Sequence, residues 1–137
     1  MDDPVYWVHS HPERFFKTGV ANEIDLAQSI WMDATLSHVP DVLLHHDDKL
    51  WVVAGSANWL VENGLLASDL FVRVVPLSVA GPNSMRSEIL LNAFCTEVVA
   101  VIAGVTVFTK GGGTVSASLG RVLQRWSGLE AAVGFRL

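Results

Sequence analysis

Hydrophobic and polar positions follow two different periods along this chain, and each change of period marks an expected element. Residues 5–9, Val-Tyr-Trp-Val-His, are aromatic and β-branched, which predicts a short strand. A polar turn carrying Pro12 follows. Asn22 then has Asp25 three residues on, a capping-box spacing, and Glu23 in the first turn. Ile24, Ala27, Trp31, Ala34 and His38 share one helical face, widened by Leu26 and Ile30. The pattern predicts a helix over 23–38, stopped by Pro40. Residues 42–54 read as a hairpin around the polar run His45-His46-Asp47-Asp48-Lys49, and 57–63 as a short helix ending at Asn63-Gly64.

The second half is richer in valine. Leu70 to Val79 reads as a strand, with Pro76 placing it at an edge or a bulge. Gly81-Pro82-Asn83-Ser84 is turn chemistry. Met85, Ile89, Ala93 and Phe94 define the inner face of a further helix, with Glu88, Asn92 and Thr96 as its polar stripe. After Glu97 the pattern switches, and 98–108 reads as a buried strand with a kink or bulge at Gly104. Thr114 is placed to cap a last helix that has Val115, Leu119, Val122 and Trp126 inward and Arg121 and Arg125 outward. Gly128 ends it, and 131–137 closes the chain as a strand. These elements predict an α/β (α+β) fold in a single compact domain over 1–137, with a mixed sheet and about three helices.

Composition changes this picture in one respect. Half of the 137 residues are hydrophobic and 17% are charged, against about 25% charged in average usage. So apolar a chain either hides surface against partners or enters a bilayer. Residues 89–108 are long enough and apolar enough to suggest a membrane span. Asn92 and Glu97 inside that stretch, and the polar stripe in its first half, favour a surface helix handing over to a strand. Nine Lys and Arg against fourteen Asp and Glu give a net charge of −5, with no basic stripe, which argues against nucleic acid as a partner. The single cysteine, Cys95, rules out an intramolecular disulfide framework and reads as a small buried hydrophobe. Met1-Asp2-Asp3-Pro4 lacks the apolar run of a signal peptide. The expected setting is therefore intracellular or inside an assembled particle rather than secretion.

Three clusters carry candidate chemistry. His9-Ser10-His11-Pro12, on a strand, would point His9 and His11 to one face, where two imidazoles and a carboxylate can hold zinc. The tetrapeptide resembles the His-Ser-His-Pro core of the JAMM metalloproteases, zinc hydrolases of the deubiquitinase type. That resemblance implies Asp25, in Asn22-Glu23-Ile24-Asp25, as a third ligand. The family's serine is Asn22 here, the spacer is three residues longer, and no Glu precedes His9 to serve as the base. His45 and His46 belong to a turn. Lys110-Gly111-Gly112-Gly113-Thr114 lies between a strand and a helix, a setting in which backbone amides bind anions, although it is not a Walker A loop.

No complete catalytic set emerges, so the catalytic residues are unknown. The reading that remains is a structural or assembly subunit of a larger complex. It would bind other protein subunits, identical or different, through a contact surface centred on Phe15, Phe16 and Trp59, and would need no cofactor. The alternative is a metal-dependent hydrolase holding zinc on His9, His11 and Asp25.

Overall fold

Ala131–Arg136, the last strand (β5), is the centre of the sheet. The computed structural model describes residues 3–46, 50–77, 84–111, 113–126 and 128–137. The other strands are β1 (Val42–His46), β2 (Trp51–Gly55), β3 (Glu97–Ile102) and β4 (Val105–Lys110), in the order β1-β2-β5-β3-β4. Every pairing is antiparallel. β1–β2 and β3–β4 are hairpins, and β5 fills the gap between them. Four α-helices complete an α/β fold of the α+β kind: α1 (Pro4–His9), α2 (Glu23–Leu36), α3 (Glu88–Phe94) and α4 (Thr114–Arg125).

The alternation of a strand explains the layers. Ala131, Val133 and Phe135 of β5 join Val53, Val98 and Ala100 in one core, together with Val8, Leu26, Ile30, Ile89 and Leu91 from the first three helices. Ala132 faces the other way, with Val52, Ala54 and Val99, onto Val115, Leu119 and Val122 of α4. Gly134 also faces α4. A Cβ there would lie 3.3 Å from Val115 Cγ1 and 3.4 Å from Leu50 Cδ1, so the absence of a side chain is what lets α4 come this close.

Much of the local reading holds. Asn22 caps α2 by accepting the Asp25 N–H at 2.9 Å. The helix stops at Leu36, two residues short of the expected His38. His38 takes a left-handed conformation (φ 66°), its N–H donates to Thr35 O at 3.1 Å, and Val39 N–H donates to Ala34 O at 3.3 Å. That is a C-terminal cap complete before Pro40 is reached. The buried face of α2 is Leu26, Ala27, Ile30, Asp33 and Ala34, so Ile24 and Trp31 lie outside it. The hairpin over 42–54, the last helix and the final strand all form.

Four expectations give way. Residues 5–9 are helical, because Asp3 accepts the Val5 N–H at 3.0 Å and Pro4 supplies a preset first helical residue. Residues 57–63 are not helical: 58–61 are irregular, and an isolated bridge joins Glu62 to Leu65 across a turn. Residues 70–77 are no strand of the sheet. A 3-10 helix, Ala67–Phe71, is fixed by Leu66 N–H donating to Asp69 Oδ2 at 2.9 Å, and one isolated bridge joins Pro76 to Met85. Residues 78 and 79 of that expected strand, and 81–83 of the expected turn, lie outside the described residues. Finally, 98–108 is two strands. Ala103 and Gly104 both have positive φ (50° and 78°), the turn that matches strand twist in a two-residue hairpin. Residues 89–108 thus fold as helix, strand, turn and strand, and among the described residues no helix is long and apolar enough to cross a membrane.

Because Gly134 sits under α4 with no room to spare, Gly134→Val should destabilise the fold by roughly 1–3 kcal/mol through overpacking. Urea unfolding followed by tryptophan fluorescence measures this, and an unchanged midpoint would contradict the close approach.

Candidate functional site

His9 and His11 are committed to backbone carbonyls. Helix α1 turns His9 toward α3, where its Nδ1–H donates to Ala93 O at 2.7 Å and its ring lies 5.7 Å from that of Phe94. His11 donates to Trp7 O at 2.7 Å and stacks on the Trp7 ring at 4.4 Å. Asp25 is occupied at the start of α2, accepting from Asn22 Nδ2 at 2.9 Å. The common face expected of His9 and His11 required a strand, and the helix removes it. Among the described residues no three His, Cys, Asp or Glu side chains are grouped to hold a metal. His45 and His46 also part, one against Trp126 at 5.6 Å and the other stacked on Trp51 at 3.9 Å.

The glycine-rich loop already has its anion. Val115 N–H, in the first turn of α4, donates to Glu97 Oε2 at 3.1 Å, and Glu97 Oε1 accepts from Arg136 Nη2 at 3.0 Å. Lys110 Nζ donates to Asn92 O at 2.5 Å. Gly111 has φ 81°, and a Cβ on it would run into the Thr96 carbonyl oxygen, so its glycine is a steric requirement. Gly113 is the N-cap residue of α4, with Thr114 the first residue inside the helix. Gly112 and the Thr114 side chain lie outside the described residues. A carboxylate from the neighbouring strand therefore takes the place at the helix N-terminus that an external anion would occupy.

Two of the three residues expected at a contact surface are core residues. Phe16 and Trp59 are 4% and 1% exposed. Phe16 packs edge-on against Phe94 at 5.1 Å. Phe15 is half-buried and lines an open groove of about 530 Å³ with Met32, Leu36, Leu77 and Met85.

One wall of that groove carries a polar cluster that the residue pattern hides. Asp33 falls on the inner face of α2, one turn beyond Ile30, and is 3% exposed. Arg86 is 2% and Glu88 0% exposed. Glu88 is thus buried, where a polar stripe on the helix surface was expected. Arg86 Nε donates to Glu88 Oε1 at 2.7 Å and Arg86 Nη2 donates to Trp59 O at 2.7 Å. Ser87 N–H donates to Asp33 Oδ2 at 2.6 Å, and Ser87 Oγ–H donates to Asp33 Oδ1 at 3.3 Å. Glu62 lies at the rim, 4.0 Å from Arg86 Nη1.

Two buried carboxylates facing one buried guanidinium leave a negative charge without compensation. Burial and then the charge of Glu88, with a hydrogen bond between the two acids, push the Asp33 carboxyl up from 3.8 to about 8, against the opposing pull of the Ser87 amide and Arg86. Arg86 holds Glu88 at 2.7 Å, and Asp33 keeps its proton up to about pH 8. Glu88 Oε2 is fully enclosed, and with both acids ionised no described residue donates to it. A protonated Asp33 supplies that donor. A carboxyl titrating near neutrality beside a groove has the pKa of a general acid–base group. Here both oxygens of Asp33 are taken by Ser87, and almost none of its surface faces the groove. The arrangement acts as a latch that ties residues 84–88 to α2. One signal of it was legible: an acid in the Leu26, Ile30, Asp33, Ala34 face of a helix.

The sign of the pH effect follows from linkage. The folded chain retains a proton on Asp33 that the unfolded chain has released, so this group's contribution to stability declines as pH rises from about 4 to about 8 and is level above. The slope is at most about 1.4 kcal/mol per pH unit for one proton. Asp33→Asn imitates the protonated acid and should remove the decline, which urea midpoints across this range will show. An identical slope in the variant would refute the shared proton. Glu97→Ala should cost about 1–2 kcal/mol by uncapping α4, measured in the same way. Comparison with known protein families, characterised proteins and solved structures finds no match to this chain.

Proposed function

We propose that this chain is a structural or assembly subunit that works through contacts with other protein subunits, identical or different. One observation carries the reading: α2 leaves a large apolar surface outside a core that is already filled. Ile24 is 57% exposed, Met32 47% and Trp31 36%. On α1, Tyr6 and Trp7 are exposed as well. Apolar area left in water costs about 25 cal/mol per Å², and soluble monomers seldom expose large contiguous apolar patches. The polar features support the same reading, because His9, His11, the α4 N-terminus and the buried acids are all engaged in internal bonds. The proposed contact surface lies on α2 and α1, with Phe15 at its margin, rather than on Phe16 and Trp59, which are buried.

Static light scattering in buffer without detergent tests the proposal. The expected result is a particle of at least twice the 14.9 kDa chain mass, or a chain that binds a hydrophobic dye until a partner covers it. A soluble 14.9 kDa monomer that binds no dye would refute it.

A further inference from the structure

We infer that β1 is a pairing edge for a second copy of this chain, joined antiparallel about Leu44 so that the two sheets continue as one. The inference rests on the assembly reading above and names its partner.

β1 is the terminal strand of the sheet. Ser56 N–H donates to Asp41 O at 3.1 Å, which sets the alternation along β1. Leu43 and His45 turn their backbone groups to β2, while Val42, Leu44 and His46 turn theirs outward. Among the described residues none supplies a partner to these outward groups. The register from Val42↔Gly55 to His46↔Trp51 is unbroken. The strand Val-Leu-Leu-His-His therefore has no bulge, and it holds no proline, lysine or arginine, the usual guards of an open edge. The opposite edge, β4, is guarded: its pairing is interrupted at Ala100/Val101, and Phe71 of the 3-10 helix stacks on Phe108 at 4.4 Å.

The geometry favours a copy of the same chain. With Leu44 on a two-fold axis, Leu44 meets Leu44 of the second copy and Val42 meets its His46. Every outward residue of β1 is then used, each opposed pair exchanging two backbone hydrogen bonds. The Leu44 side chain is 43% exposed and lies on the α2 side of the sheet, because its partner Val53 belongs to that core. Helix α2 packs over β1 and β2. Its Asp33 flank points to Ser87, next to α3, and Ile24 and Trp31 lie on the opposite flank of the helix. A two-fold axis at Leu44 sets the β1 edges of the two copies against each other, an isologous contact. The five residues of β1 include no Asp, Glu, Lys or Arg. One strand from each copy makes a small interface, so the dimer is expected to be reversible, with a dissociation constant on the order of micromolar.

Sedimentation equilibrium over a concentration series tests this with three variants. Leu44→Lys places like charges on the axis and should weaken association by about tenfold or more. Leu44→Pro removes only an outward N–H and should do the same while leaving the β2 ladder intact. Leu44→Cys should form a disulfide-linked dimer under mild oxidation, because directly opposed, hydrogen-bonded residues lie about 5.5 Å apart at Cα, within disulfide range. The native thiol does not compete: Cys95 is buried, and burial pushes it up to about 12. If Leu44→Pro fails to fold, the other two variants decide. An oligomer whose mass is unchanged in folded Leu44→Lys, with no cross-link in Leu44→Cys, would overturn the edge pairing and leave the assembly reading standing. A monomer that binds hydrophobic dye would likewise overturn only the pairing with itself. A monomer that binds none would overturn both.

Discussion

A strand enclosed on both faces has no tolerance for polar or bulky side chains, and β5 is that strand here. Ala131, Val133 and Phe135 close one core while Ala132 and Gly134 close the other. The rest of the chain is arranged to make this enclosure possible. Two hairpins flank β5 so that its backbone groups are paired on each side, as buried amides and carbonyls must be. α4 lies over the small residues of one face. The other three helices cover the larger residues of the opposite face. β5 follows the other four strands in sequence, so its pairing with β2 joins segments far apart along the chain. Such long-range closure is the slow part of folding a sheet of this kind.

The polar groups inside the molecule follow the same economy. Glu97 lies at the join of α4 and the sheet, and its carboxylate satisfies the helix amide and the Arg136 guanidinium together. Arg86 ties the crossover between β2 and β3 to the Trp59 carbonyl and to Glu88, and Ser87 ties it to α2 through Asp33. This crossover contains little regular structure. A buried, directional network holds it where hydrophobic packing alone would leave its register loose. The cost is a carboxyl that stays protonated near neutral pH.

Several large apolar side chains remain exposed, among them Tyr6, Ile24 and Met32. Buried polar groups bonded internally, together with these exposed apolar side chains, are what support the contact reading proposed above. The two edges of the sheet differ in the same sense. One is bulged and covered by an aromatic stack, and the other offers unpaired backbone beside Leu44.

Local signals determined α2, the β1–β2 hairpin, α4 and β5, because a cap, a turn or a clear period within about a dozen residues is enough to specify each. They also pointed to the apolar excess. Tertiary structure decided the remainder. The run Val-Tyr-Trp-Val-His has strand composition, yet a cap at Asp3 and docking on α3 make it a helix, and with the strand went the common face of His9 and His11. The valine-rich run at 98–108 has no polar break, and only positive φ at Ala103 and Gly104 divides it. Phe16 and Trp59 look like surplus aromatic residues until the layers close around them. Glu88 has the period of an exposed stripe and is buried all the same, because Arg86, two residues before it, and Asp33, far away in the chain, meet it there. Period and composition report what one element prefers. Which face is buried, and which charge finds a partner, depends on neighbours that only the folded chain brings together.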